Sequence, residues 1–347
     1  MRVQSMRWQA ILGLAAAVAA GAAARSLSQG SEYHLLRRVV LGGEGKWDYL
    51  TMDPVRRRVF IAHGTEVLVV DADRAAVLGK ILDTPGVHGV ALAQGLGRGF
   101  TSNGADSTVT IFDLASLKIL GRVTVTGRKP DAIVYDSVSG RVFTFNGGSD
   151  NATAIEASTG KIVGTVALGG APEFAVADGR GRIFVNLEDR SALLSFDTRS
   201  LEPGATWPLA PCETPSGLAI DRGRDRLFSG CANRLMAVVD AKDGHVLATV
   251  PIGARVDANA FDSTTGLAFS SNGDGTLTVV DVAGSTFRVV QTVQTELGAR
   301  TMAFDPKTHN IFLVTAQFGP TPPATEANPR PRPPTIPGTF TLLIFGR

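Results

Sequence analysis

The sequence predicts an all-β fold, a seven-bladed propeller whose last blade is closed by the N-terminal strand. Three observations predict it. Asp71, Asp113, Glu156, Asp197, Asp240 and Asp281 each close an apolar run, at spacings of 42, 43, 41, 43 and 41 residues, the period of a four-stranded blade. A phenylalanine recurs at the centre of the preceding run: Phe60, Phe100, Phe143, Phe184, Phe228, Phe269 and, in a seventh unit, Phe312. That seventh unit ends one strand short at residues 341–345, while an unpartnered strand-like stretch, residues 33–41, stands ahead of the first.

At the N-terminus, Arg2 and Arg7 precede an Ala-rich apolar run over residues 10–24 that ends in small side chains. This is the order of a secretory signal peptide. The run, about 15 residues, is short of the roughly 20 that span a bilayer, although an uncleaved anchor is the other reading. No Cys follows it to carry a lipid. Residues 1–24 are therefore read as a leader. The mature chain is expected to start near Arg25, to carry no transmembrane span and to be periplasmic or secreted.

Residues 25–347 read as one propeller. In each unit the first strand ends near Asp or Ala, as in Leu50-Thr51-Met52-Asp53, and the second follows a Gly- or Arg-rich turn. The third runs into the acidic anchor. The fourth follows a hairpin such as Ser158-Thr159-Gly160-Lys161. Residues 33–41 end in Leu41-Gly42-Gly43 as the third unit ends in Leu168-Gly169-Gly170. They supply the missing fourth strand, so no terminal blade keeps an open edge. The 39 glycines and 44% hydrophobic content suit short strands and tight turns. A monomer is expected.

The phrase Val238-Val239-Asp240-Ala241, with Gly244, Val246 and Thr249-Val250-Pro251-Ile252-Gly253 after it, resembles the YVTN-type β-propeller repeat, a WD40-like unit. Over all seven units the mature chain is similar to the exported YncE-like family. The resemblance implies a periplasmic propeller and leaves activity open, because propellers host unrelated functions.

The net charge of +2 and the lack of a basic run with interleaved aromatics exclude nucleic acid as an expected partner. No P-loop, dinucleotide fingerprint or nucleophile elbow occurs, and Ser216 has no neighbouring base in the sequence. Equivalent positions of a rotational repeat occupy equivalent places. Counting back five residues from each first-strand end reaches Asp48, His88, Asp131, Glu173, Ser216, Asp257 and Arg300, a polar ring at the channel mouth. Counting forward ten reaches His63, Asn103, Asn146, Cys231, Asn272 and Thr315, with Leu187 one residue early, on the same face.

Arg300 falls between Asp257 and Asp48, an arrangement read as structural ion pairs. His88, Asp131 and Glu173 are consecutive, with His63 in the preceding blade. Two adjacent carboxylates without a cation would repel, raising one pKa. A mixed imidazole and carboxylate set suits a divalent ion, Zn or another transition metal, better than Ca. The candidate ligand-binding residues are therefore His63, His88, Asp131, Glu173, Asn103 and Asn146, with His88, Asp131 and Glu173 as metal ligands. A plain water-filled polar funnel is the other reading. The function expected is a binding protein that takes a small molecule, metal ion or protein segment at the mouth. The alternative is a metal-dependent, lactonase-like hydrolase or lyase acting on a small polar substrate there.

Trp47, Tyr49 and Phe174 flank the ring, where burial between blades is expected over stacking on a ligand. Cys212 lies just before the first strand of blade five and Cys231 at the end of its second strand, both on this face, and they are expected to form a disulfide, with two buried thiols as the alternative. Residues 317–338 of blade seven are proline-rich and carry Arg330 and Arg332. Such sequence is extended and stiff, so it is read as a cover over the mouth or a surface loop.

Overall fold

Turn chemistry builds the repeat. At the end of a first strand, Asp53, Asp178, Asp221, Asp262 and Asp305 each accept a hydrogen bond from the backbone N–H two residues on, an Asx turn that reverses the chain. Asp71, Asp113, Asp197, Asp240 and Asp281 do the same at the end of the third strands. The periodic acids are thus turn-formers, and the period follows from strand lengths of five to seven residues between them.

The computed structural model describes Met1 and residues 32–347, apart from 327 and 330. The leader expected over residues 1–24 lies, Met1 aside, outside the described residues. Seven four-stranded antiparallel sheets form the ring of blades. Blade one runs through Trp47–Asp53, Arg58–His63, Glu66–Asp71 and Val77–Ile81, and blades two to six repeat it. In blade seven, Met302–Phe304, Ile311–Thr315 and Thr341–Gly346 are completed by His34–Val40, which pairs antiparallel with Thr341–Gly346. The N-terminal strand therefore closes the ring.

All seven recurrent phenylalanines are fully buried. They fill the wedges between blades, where close packing makes each side chain costly to shorten. An arginine at the start of the second strand ties a blade to the next. Arg58, Arg98, Arg141, Arg182 and Arg226 donate to the carbonyls of Leu114, Ala157, Thr198, Ala241 and Val282 at 2.5–3.1 Å. Blades seven and one are joined by a different clamp: Arg57 donates two 2.7 Å hydrogen bonds to the carboxylate of Asp305. Cys212 and Cys231 form a disulfide with Cα atoms 5.7 Å apart. Among the described residues no helix is long and apolar enough to cross a membrane.

Candidate functional site at the channel mouth

A local defect in each sheet makes the ring. In blades one to six the pairing of first and second strands slips between residues 47 and 50, 87 and 90, 130 and 133, 172 and 175, 215 and 218, and 256 and 258. Each slip contains the ring residue: Asp48, His88, Asp131, Glu173, Ser216 and Asp257. A bulge leaves the extra residue unpaired in the ladder and re-aims its side chain. Arg300 occupies the equivalent place ahead of the short first strand of blade seven.

The ring divides into two linked sets. His88 Nδ1 lies 2.6 Å from Asp48 Oδ2 and 3.6 Å from Asp131 Oδ1. Asp131 Oδ1 is buried and has no hydrogen-bond partner among the described residues. One ligand atom from each of Asp48, His88 and Asp131 lies within 4.8 Å of the other two. In the second set the Ser216 hydroxyl bridges Glu173 and Asp257 at 3.4 and 3.2 Å, and Arg300 Nε is 3.1 Å from Asp257 Oδ2. Gly104 makes room for the imidazole, since a Cβ there would stand 2.6 Å from His88 Nε2.

Tyr49 supplies the floor. Its buried ring reaches from blade one to Phe174 of blade four, edge to face with centroids 5.0 Å apart, and so spans the channel between these blades. Burial first, then the charges of Asp131, Glu173, Asp48 and Asp257, push its phenol well above the ordinary value. The same confinement acts on the carboxylates. Burial raises Glu173 to about 9, with Asp131 and Asp257 adding to it. Burial also raises Asp131 against the opposing charge of His88, and Asp257 against that of Arg300. For His88, burial favours the neutral form, but the Asp48 hydrogen bond and the charges of Asp131 and Asp48 outweigh it and raise the pKa to about 9. At neutral pH this mouth holds an imidazolium, a guanidinium and four carboxyl groups competing to stay ionised.

Other sequence candidates are placed elsewhere. His63 is buried, stacked on Phe340 with centroids 4.2 Å apart, and its nearest acid is Glu66 at 4.0 Å. Asn103 and Asn146 are fully buried. Their amides bond Thr108 and Thr110 in one blade and Asn151 and Thr153 in the next, fastening second strand to third. Asp257 pairs with Arg300, whereas Asp48 is drawn to His88. Glu173 stands with Ser216, outside the three-residue set. Trp47 packs on Phe340 and Phe318.

The proline-rich insertion starts as a ladder, with Phe318 bridged to Thr335 and Gly319 N–H donating to the Pro334 carbonyl at 2.8 Å. Arg330 lies outside the described residues. The insertion walls an open cleft of about 860 Å³ with Trp47, Arg255, Leu297 and Arg300, on the Arg300 side of the mouth. A search of protein-family models and of curated protein sequences matched the chain to none of them.

Proposed function

We propose that this protein is an exported binding propeller whose channel mouth holds a divalent metal ion between Asp48, His88 and Asp131. One observation carries the reading: three donor atoms re-aimed by bulges converge within 4.8 Å, and one of them, Asp131 Oδ1, is buried without a hydrogen-bond partner among the described residues. The donor set fits a transition ion such as Zn. Ligands at about 2.1 Å from a tetrahedral ion stand about 3.4 Å apart. Binding must displace the proton of the His88 imidazolium; the 3.6 Å His88–Asp131 spacing then matches, and the 2.6 Å His88–Asp48 contact must open by under about 1 Å. Tyr49 beneath would bar passage, so the mouth works as a receptor bowl.

Export is supported by the leader-like N-terminus, by the disulfide, which oxidising compartments favour, and by the likeness of the repeat to exported YncE-like propellers. A second reading, a metal-dependent hydrolase or lyase, is favoured by Glu173. A carboxyl that keeps its proton at neutral pH beside a metal site is equipped as a general acid. Calorimetric titration of EDTA-treated protein with Zn²⁺ and Mn²⁺ tests the main reading. One site per chain, lost in the Asp48→Asn and Asp131→Asn double variant, is expected. Heat traces identical in wild type and variant would sink it.

A further inference from the structure

Beside the acidic bowl the chain builds a surface of opposite sign. Four cations, Lys46, Arg255, Arg300 and Arg332, line the 860 Å³ cleft, and no carboxylate among the described residues does. Among the described residues Lys46 and Arg332 make no ion pair, and the Arg255 guanidinium donates only to the Gly273 carbonyl, at 2.6 Å. Of the four, Arg300 alone is paired with a carboxylate among the described residues, that of Asp257. Like charges gathered in one concave site focus the field and raise the local concentration of anions. Guanidinium groups favour planar, bidentate carboxylate and phosphate-like partners. The cleft is not only charged: Trp47 and Phe318 give it an aromatic side. Its volume falls in the range of small-molecule sites, which combine apolar walls with a few convergent polar groups.

We propose that this cleft is a second binding site, for a small polyanionic molecule with a planar apolar body. The proline-rich insertion acts as its outer wall, held by the Phe318–Thr335 bridge and by Trp47, and delivers Arg332 to it. This gives the insertion a task that a cover over the whole mouth does not. Among the described residues it lines a cleft on the Arg300 side. The site rests on residues separate from the metal ligands, so it stands or falls independently of the metal reading.

The test uses the full exported protein and pyranine, a fluorescent pyrene trisulfonate, followed by anisotropy. Saturable binding to one site is expected, weakened by 0.5 M salt. Lys46→Glu and Arg332→Glu should each weaken it at least fivefold. Both side chains are exposed, and an unchanged circular dichroism spectrum and melting midpoint will show that the variants fold. The Asp48→Asn and Asp131→Asn double variant should bind pyranine no more weakly than wild type. The proposal is overturned if wild type shows no saturable binding, if both charge reversals bind as wild type does, or if uncharged 1-pyrenemethanol binds equally well.

Discussion

His88 Nδ1 and Asp48 Oδ2 lie 2.6 Å apart across the boundary between blades one and two. Two bulges place them there, so the pair is a product of the sheet defects and not of the regular ladder. Its first consequence is a titration. Wild-type His88 should titrate near pH 9, and in Asp48→Asn its midpoint should fall, because the largest opposing influence to burial is gone. The His88 Cε1 proton resonance reports this directly. An unchanged midpoint would show that Asp48 does not hold the imidazolium.

Linkage then sets the stability profile of the metal-free protein. The folded pKa values of His88, Asp131, Asp257 and Glu173 are all raised, so these four groups together bind more protons in the folded state than in the unfolded chain. For each group the stabilisation is full below its unfolded pKa and is lost as pH rises through its folded one. The mouth should therefore favour folding at pH 5 over pH 9, with the loss spread up to about pH 9, where Glu173 titrates. Replacing Glu173 by Gln should flatten the upper part of that profile in urea midpoints taken from pH 6 to 9.

The identity of the metal ligands can be resolved by substitution. Geometry selects Asp48, His88 and Asp131, whereas sequence order selects His88, Asp131 and Glu173. Asp48→Asn should weaken Zn²⁺ binding at least tenfold. Glu173→Gln should leave it within about threefold. The reverse ranking in calorimetry would return Glu173 to the first position.

The contrast shows which features sequence could carry. A rotational repeat repeats its environments, so the turn-forming acids, the buried phenylalanines and even the ring register could be read by counting. Which neighbours in the ring join hands could not. That depends on side-chain directions at six bulges, and alternation of apolar residues says nothing of a bulge. Tyr49 was visible as a ring neighbour, but its reach across the axis to Phe174 depends on channel width. His63, Asn103 and Asn146 shared the register of the face without sharing its exposure. One wall of the cationic cleft lies on the one segment without a repeat partner, where no second copy exists to align.

Tyr49 separates floor from ring. Tyr49→Phe keeps the edge-to-face packing on Phe174 and should change stability by less than about 1 kcal/mol, close to the net worth of one hydrogen bond. Tyr49→Ala opens the channel and leaves a cavity, at a cost of about 3–5 kcal/mol. Urea unfolding of the two variants distinguishes packing from polarity. Equal losses would show that the hydroxyl, not the ring, matters.

The clamp between blades seven and one depends on pH. Arg57 holds Asp305 through two parallel 2.7 Å bonds, and the Asp305 side chain is fully buried while Arg57 is 15% exposed. Burial raises the Asp305 pKa, but the bonds from Arg57, Thr308 and the Lys307 N–H outweigh it and leave it lowered. Its contribution is therefore present above the ordinary Asp range and lost as pH falls through the folded value. Arg57→Ala would strand a buried carboxylate, and about 3 kcal/mol should be lost near pH 7. Because the variant's Asp305 can be relieved by a proton, the deficit should shrink as pH is lowered toward 4. Arg57→Lys keeps the charge but not the fork and should fall between the two. Urea midpoints at pH 7 and pH 4 measure both effects, and a deficit independent of pH would mean that Arg57 acts through packing alone.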